Sequence, residues 1–207
     1  MPSDSLFVQL VQDAIATPIY IGSKQEISLD GYKTLASTKT TLYKALLHDS
    51  DNLVAESIIL MLSGTAQWEL NTQQGLAMLY QQNKTLKSQF RQVDGSGLSR
   101  YNLASPRGLL ETLDKIYETI GTRKIKTLLP QVNSEGTLIC YAPQQILDFV
   151  YAKSGSLRNN HVLAGYIFSD TNKPHAFVIS VNNYTGDKEA IQAAIGAQLS
   201  FLHKKLR

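Results

Sequence analysis

Two short motifs in this sequence bring together side chains that acyl-transfer chemistry uses. The first is Ser50-Asp51-Asn52, between two predicted helices, and the second is Lys153-Ser154-Gly155, which enters a predicted strand. A serine hydroxyl is a poor nucleophile until a nearby base takes its proton. A lysine serves as that base when burial or a second cation favours its neutral form. The residue types are therefore those of a site that works on a carbonyl substrate.

A third stretch, Asp94-Gly95-Ser96-Gly97-Leu98-Ser99-Arg100, has the composition of a loop. Each of the three stretches also has an ordinary structural interpretation. Ser50-Asp51-Asn52 fits a helix N-cap before Leu53, the lysine motif fits a solvated strand edge, and the third stretch fits a plain turn. A second Ser-x-Asn, Ser180-Val181-Asn182, follows the lysine motif and is out of order. Only the joint order and context of the motifs favour a functional role.

The elements that precede the lysine motif are predicted to be mainly helical from their apolar spacing. They are, in order, a helix over Ser3–Ala16, short strands over residues 18–36, and helices near Thr41–His48, Leu53–Leu62 and residues 66–82. Gly64 is expected to close the third of these helices. The buried face of the last one is expected to contain Trp68, Leu76, Leu79 and Tyr80. A final helix before the motif has Ser105 as N-cap and Pro106 at its first position, and Gly121 is expected to end it.

The last sixty residues have a different pattern. Three strand-like runs, Phe149–Tyr151, Val162–Phe168 and Ala176–Val181, are separated by short turns, so neighbouring strands must be antiparallel. A helix starting near Asp187 has an apolar stripe formed by Ile191, Ile195, Leu199, Leu202 and Leu206. The predicted fold class is α+β, with helices packed on an antiparallel sheet.

Composition limits the function classes. The chain has 207 residues, 43% of them hydrophobic and 18% charged, with a net charge of +3, which favours a globular protein over a disordered one or a nucleic-acid binder. No apolar run is long enough for a transmembrane segment, and no signal peptide is visible. The single cysteine, Cys140, excludes an intrachain disulfide and is expected in the core. The four histidines lack short metal-ligand spacing, so no metal site is predicted, and ordinary core or surface roles are expected for them.

The motifs together resemble the low-molecular-mass class C penicillin-binding proteins, the D-alanyl-D-alanine carboxypeptidase/endopeptidases of peptidoglycan. Four blocks run in that family's order, and the most specific is Asp-Gly-Ser-Gly-Leu-Ser from Asp94. The other blocks are His48–Glu56, Leu129-Pro130 with Gly136-Thr137-Leu138, and Ala152–Leu157, in which Ser154 replaces the usual threonine. The resemblance implies a partial penicillin-binding/serine β-lactamase-like transpeptidase fold over residues 1–207.

The resemblance also implies roles for individual residues. Ser50 would relay a proton, the Asn52 amide would hold a backbone carbonyl of the substrate, and Lys153 would supply positive charge. Ser154 would bind the terminal carboxylate of the substrate, while Gly155 would let the ligand lie against the strand. The backbone N–H of Ser156 would point into an oxyanion hole. Asp94 and Ser96 would contribute to substrate binding.

The family's Ser-x-x-Lys motif is missing, because none of the serines is followed by lysine three residues later. In the family that motif lies far upstream of Ser-x-Asn, whereas only 49 residues precede Ser50 here. The resemblance therefore implies the C-terminal portion of such an enzyme, without its nucleophile and inactive alone. The alternatives are a non-catalytic peptidoglycan-binding module or pseudoenzyme and a β-lactamase-like hydrolase.

The resemblance implies peptidoglycan stem peptides or β-lactams as ligands, no cofactor, and a periplasmic or extracellular location for the parent protein. It implies no nucleic-acid partner. A sheet without its N-terminal strands would expose an edge or an apolar face. A homodimer, or pairing with the missing N-terminal portion, is therefore expected.

Overall fold

A computed structural model describes residues 8–9, 12, 18, 39–67, 70–132, 136–138, 141 and 147–206. The chain divides into two compact units, Met1–Ala36 and Ser37–Arg207. Most of the predicted helix Ser3–Ala16 and of the strands over residues 18–36, together with Trp68 and Cys140, lies outside the described residues. In the described part of the chain, no helix combines the length and apolar character needed to cross a membrane.

The second unit begins with consecutive helices. They are α1 (Lys39–His48), α2 (Asn52–Gln67), α3 (Thr72–Gln82) and the short α4 (Lys84–Lys87). The prediction that Gly64 ends α2 is wrong. Gly64 has no left-handed backbone conformation, and a Cβ there would lie 3.1 Å from the Leu70 side chain, so this glycine serves close packing.

The next element, α5 (Pro106–Leu128), starts as predicted. The Ser105 hydroxyl accepts a hydrogen bond from the Gly108 N–H at 3.0 Å, and Pro106 occupies the first helical position. Gly121 interrupts the helix with a φ of 68°, but the helix resumes and continues to Leu128. The prediction that Gly121 ends the helix is therefore right about the break and wrong about the end.

A two-residue ladder closes the loop before α5. Strand β1 (Phe90–Arg91) pairs antiparallel with β2 (Leu103–Ala104), which brings the two ends of the intervening loop together. The sequence analysis did not predict these short strands. A single turn of 3₁₀ helix, Gly136–Leu138, lies between α5 and the main sheet.

The main sheet has the predicted antiparallel order. Its strands are β3 (Val150–Leu157), β4 (Asn160–Phe168) and β5 (Pro174–Asn182), joined by two short turns. The first strand is longer than predicted and contains the whole lysine motif. The register pairs Lys153 with Ala164 and Ser156 with His161.

Helices cover the sheet with two apolar clusters. The final helix, α6 (Lys188–Lys205), is capped by Asp187 and packs Ile195 and Leu199 into the larger cluster, as its stripe predicted. The smaller cluster joins Leu113 and Ile125 of α5 to Tyr166 and Phe168 of β4. The α+β class predicted from the sequence is confirmed, and β3 is held between these layers with its lysine motif at one end.

Candidate active site

The Ser50-Asp51-Asn52 motif forms the junction between α1 and α2. Asp51, and not Ser50, caps α2, because its carboxylate accepts hydrogen bonds from the Leu53 N–H at 2.9 Å and the Val54 N–H at 3.0 Å. Ser50 has a φ of 56°, a left-handed conformation that is uncommon for a residue with a side chain. The N-cap interpretation is therefore correct for the motif, while the Ser50 hydroxyl remains available for another partner.

That partner is Lys153 on β3. Its ammonium group donates hydrogen bonds to the Ser50 hydroxyl and, at 2.8 Å, to the Ser154 carbonyl oxygen. Burial lowers the pKa of Lys153 because it disfavours the charged form. The contact joins the two motifs although 103 positions separate them in the sequence.

The remaining residues of the lysine motif continue along β3. The Ser154 and Thr137 hydroxyls lie 3.2 Å apart. Gly155 is exposed, and a Cβ there would lie 3.1 Å from the Val162 side chain. The Ser156 hydroxyl is 2.7 Å from Nδ1 of His161 on β4.

The Asp94 stretch forms a loop that its own polar groups organise. The Asp94 carboxylate accepts hydrogen bonds from the Gly97 N–H at 2.7 Å, the Ser99 N–H at 3.0 Å and the Asn102 amide at 2.9 Å, and from the Ser96 hydroxyl. Burial opposes ionisation, but these hydrogen bonds outweigh it and lower the pKa of Asp94. The carboxylate thus faces its own loop.

Glu56 of α2 fastens this loop beside Ser50. One of its carboxylate oxygens accepts hydrogen bonds from the Gly95 N–H at 2.7 Å and the Ser96 N–H at 2.9 Å, and the other accepts from the Thr72 hydroxyl. Gly95 is required for this approach, because a Cβ there would come within 2.6 Å of the Ile59 side chain. Glu56 was not singled out from the sequence, since nothing in the local pattern identifies a partner about forty residues away.

His161 is a second functional candidate that sequence reasoning missed. It is 2% exposed, and its Nε2 lies 2.6 Å from the Tyr141 hydroxyl while its Nδ1 contacts Ser156. Burial lowers the pKa of His161, and the positive charge of Lys188 adds to the effect. Ordinary core or surface roles were expected for the histidines, and His161 is buried. The hairpin register was the available signal, because a two-residue turn after Leu157 places His161 opposite Ser156.

These residues meet in one cleft of about 460 Å³. Of the site residues predicted from the sequence, seven line it, namely Ser50, Asn52, Ser96, Lys153, Ser154, Gly155 and Ser156. Asp94 is not among the lining residues. His161 of β4 and Lys188 and Gln192 of α6 also line the cleft. Within the described ranges, no cluster of three metal-ligating side chains occurs.

A second, apolar groove of about 350 Å³ shares the lysine motif as one of its walls. Residues of α5 make up half of those that line it, and they include Leu109, Leu113 and Ile116. The lysine motif therefore has a polar cleft and an apolar groove as neighbours.

Comparison with known proteins places this geometry in a family. Residues 6–204 match the model of the D-Ala-D-Ala carboxypeptidase 3 (S13) family. The D-alanyl-D-alanine carboxypeptidase DacB of Haemophilus influenzae is 29% identical over 168 residues, which are 76% of this chain and 35% of that protein. The penicillin-sensitive carboxypeptidase A of Dictyostelium discoideum is 27% identical, over 77% of this chain and 31% of its own length.

A solved structure agrees with these relatives. The crystal structure of penicillin binding protein 4 (dacB) from Haemophilus influenzae matches with a TM-score of 0.66 and 28% identity, over 80% of this chain and 39% of that chain. The chain thus spans about a third of the length of the curated relatives that it matches.

Proposed function

This chain belongs to the D-Ala-D-Ala carboxypeptidase 3 (S13) family, and we propose that it forms one wall of a serine-type acyl-transfer cleft. The ligands would be peptidoglycan stem peptides that end in D-Ala-D-Ala and the β-lactams that imitate them. The observation that carries the proposal is the hydrogen bond from Lys153 to Ser50, which joins the two motifs inside the cleft.

The reaction assigned to the complete enzyme is acyl transfer to a serine. The serine oxygen adds to the carbonyl carbon of the penultimate D-Ala, the C–N bond to the terminal D-Ala breaks, and the leaving amine takes a proton. Water then releases the acyl group. This chain lacks Ser-x-x-Lys, so we place the attacking serine outside it and expect the chain alone to be inactive.

In this proposal Ser50 and Lys153 move the proton. The partly buried ammonium of Lys153 has a lowered pKa and contacts the Ser50 hydroxyl, which is the arrangement that proton relay between them requires. The amide of Asn52, the first residue of α2, would hold a substrate carbonyl, and Ser154 would bind the terminal carboxylate.

The remaining assignments concern the ligand's path along β3. The open strand at Gly155 would receive the substrate backbone, with the Ser156 N–H as one donor of the oxyanion hole. Ser96 would contact the ligand from the opposite side of the cleft, while Asp94 would act by ordering its loop. On the same family grounds, we propose a periplasmic or extracellular location for the parent protein.

Calorimetric titration with N-acetyl-D-Ala-D-Ala tests the ligand class. We expect saturable binding by the wild type and a loss of about thirtyfold or more for Lys153→Ala, as when one partner of a buried charged contact is removed. Lys124→Ala is the control, because Lys124 is exposed on α5 and does not line the cleft. No binding by the wild type, or equal loss in both variants, would contradict the proposed ligand class.

Mass spectrometry with a labelled penicillin tests the absence of the nucleophile. A formed cleft without Ser-x-x-Lys also fits a non-catalytic binding module, and both versions of the proposal predict no covalent adduct on this chain. A stoichiometric adduct on any of its serines would show that the chain carries its own nucleophile. Peptide binding without an adduct, in a natural protein of this length, would favour the binding module.

A further inference from the structure

The final helix contributes two polar side chains to the cleft that the motifs did not predict. Lys188 and Gln192 are four positions apart on α6, so they lie on the same side of the helix, one turn from each other. Both line the cleft that contains the lysine motif. The acidic residues next to Lys188, Asp187 and Glu189, do not line it.

Gln192 is a largely buried polar residue of the final helix. It is 6% exposed and lines the cleft, so the part of it that reaches solvent is at the cleft. The same helix continues its buried side with Ile195 and Leu199, which fill the apolar core. A polar side chain that is otherwise packed into the protein and lines a cleft is held in place to meet a polar group of a ligand there.

Ser156, which lines the same cleft, has its hydroxyl beside a buried histidine. Ser156 contacts Nδ1 of His161, and Nε2 of His161 contacts the Tyr141 hydroxyl. When the Tyr141 O–H donates to Nε2, the neutral imidazole carries its proton on Nδ1 and donates it to Ser156. The Ser156 O–H then points away from His161 and donates into the cleft.

We propose that Lys188 and Gln192 of α6, together with Ser156 in the same cleft, form a subsite that selects ligands with a carboxylate. An ammonium, an amide NH₂ and a hydroxyl are all donors, and a carboxylate accepts only. His161 is a positioning residue in this subsite, because it acts through its hydrogen bond to the Ser156 hydroxyl. The inference deepens the proposed function and rests on it, since it names the α6 residues that read the end of the peptide.

Competition between acid and amide ligands tests the subsite. The probes are N-acetyl-D-Ala-D-Ala and the same dipeptide with a C-terminal amide, titrated against the full chain. We expect the wild type to prefer the acid by about tenfold or more, as a charge-assisted hydrogen bond provides. Gln192→Leu and Lys188→Met should each reduce that ratio, because each should lower affinity for the acid more than affinity for the amide.

Two further variants sharpen the result. Gln192→Glu should weaken acid binding more than Gln192→Leu does, because it adds repulsion between like charges. Lys204→Met is the control for Lys188→Met, since Lys204 is exposed at the far end of the same helix and does not line the cleft. An acid-to-amide ratio that stays at the wild-type value in Gln192→Leu and Lys188→Met overturns the proposal.

The positioning role of His161 has its own readout. His161→Asn keeps an amide N–H that can reach Ser156, whereas His161→Leu removes the donor. We expect His161→Asn to retain much of the preference for the acid and His161→Leu to lose it, although both remove the contact with Tyr141. Equal ratios in the two variants would overturn this role.

Failure of the subsite is distinguishable from failure of the proposed function. If the wild type binds N-acetyl-D-Ala-D-Ala in a Lys153-dependent way but the α6 variants do not change the ratio, only the subsite is wrong. Binding of N-acetyl-L-Ala-L-Ala as tight as that of N-acetyl-D-Ala-D-Ala would show that the D-Ala-D-Ala class is wrong. If Gln192→Leu then still lowers the preference for the L-dipeptide acid over its C-terminal amide, the subsite is supported. If no carboxylate-terminated peptide binds, both are overturned.

Discussion

Lys153 is placed where its charge lowers the stability of the free protein but favours binding of an acidic ligand. Its ammonium is partly buried, and its hydrogen-bond partners are a hydroxyl and a carbonyl oxygen, neither of which is an anion. Such a cation lowers the free energy of unfolding unless a negative charge compensates it. A carboxylate on a ligand would supply that charge, so the cost of burial in the free protein favours binding of an acidic peptide.

The first prediction concerns replacement of this lysine by an apolar side chain. Lys153→Met should unfold at the same or a higher urea concentration than the wild type at neutral pH, because it removes the buried charge, and it should bind N-acetyl-D-Ala-D-Ala weakly. Lys124→Met, at an exposed position of α5, is the control for a general effect of removing a lysine. A clear loss of stability in Lys153→Met alone would contradict this account.

The pH dependence of the same variant has a definite sign. The pKa of Lys153 is lowered from 10.5 by burial, so between the lowered value and 10.5 the unfolded chain binds more protons than the folded one. The stability of the wild type relative to Lys153→Met should therefore rise with pH in that window. Urea unfolding at about pH 7 and at about pH 10 measures it.

His161 gives a second prediction at this scale, in the acid range. Its pKa is lowered from 6.5 by burial and by the charge of Lys188, and its ring contacts Tyr141 and Ser156. Because the folded state resists protonation, the stability is fully present above 6.5 and declines as pH falls below it. His161→Asn should show a smaller decline.

Urea unfolding of wild type and His161→Asn between about pH 8 and about pH 5 measures that difference. Lys188→Met serves as a second probe, because removing the neighbouring positive charge should bring the lowered pKa of His161 closer to 6.5 and so make the decline below pH 6.5 smaller. Parallel pH profiles for wild type and His161→Asn would show that His161 does not control the acid response.

At the scale of elements, the loop between β1 and β2 owes its place to α2. Glu56 accepts two backbone N–H groups of the loop, and the loop in turn brings Ser96 to the cleft. The close approach at Gly95 leaves no room for a side chain between loop and helix. The loop, α2 and the Ser50 junction therefore form one polar unit.

Removal of the Glu56 carboxylate should loosen this unit. Glu56→Ala leaves the Gly95 and Ser96 N–H groups without their acceptor, and we expect the free energy of unfolding to fall by about 2–4 kcal/mol. Hydrogen exchange at those two amides should accelerate, and ligand affinity should fall with it. Glu118→Ala, at an exposed position of α5, is the control. Unchanged exchange at Gly95 and Ser96 would contradict the anchoring role.

The elements show what the sequence can predict and what it cannot. The Ser105 cap and the three-strand meander were predicted because cap chemistry, strand-like runs and short turns are local signals. Gly64 was misassigned because close packing against Leu70 and helix termination both favour glycine, and only the tertiary contact distinguishes them. Glu56 was missed because its partners are distant in sequence. Ser50 and Lys153 are also distant in sequence, but the resemblance in motif order predicted that they share one cleft, and they do.

For the whole molecule, the two depressions beside the lysine motif have different character. The polar cleft carries the motif residues, and the apolar groove is lined mainly by α5 and β4 side chains. The chain also spans only about a third of the length of its curated relatives. Apolar surface exposed to water favours association, since burial of such surface is the main driving force for it. A homodimer, or pairing with a further segment, therefore remains a prediction, and the apolar groove is the surface where we expect the contact.

In a purified sample the available partner is a second copy, so the groove predicts self-association. Light scattering at increasing concentration should show a rise in mean mass for the wild type and a smaller rise for Ile116→Lys, which places a charge in the groove. Tyr117→Lys is the matched control, because the two side chains are similarly exposed, 38% and 41%, but Tyr117 does not line the groove. A monomer at every concentration would contradict self-association, and equal effects of the two substitutions would locate the contact away from the groove.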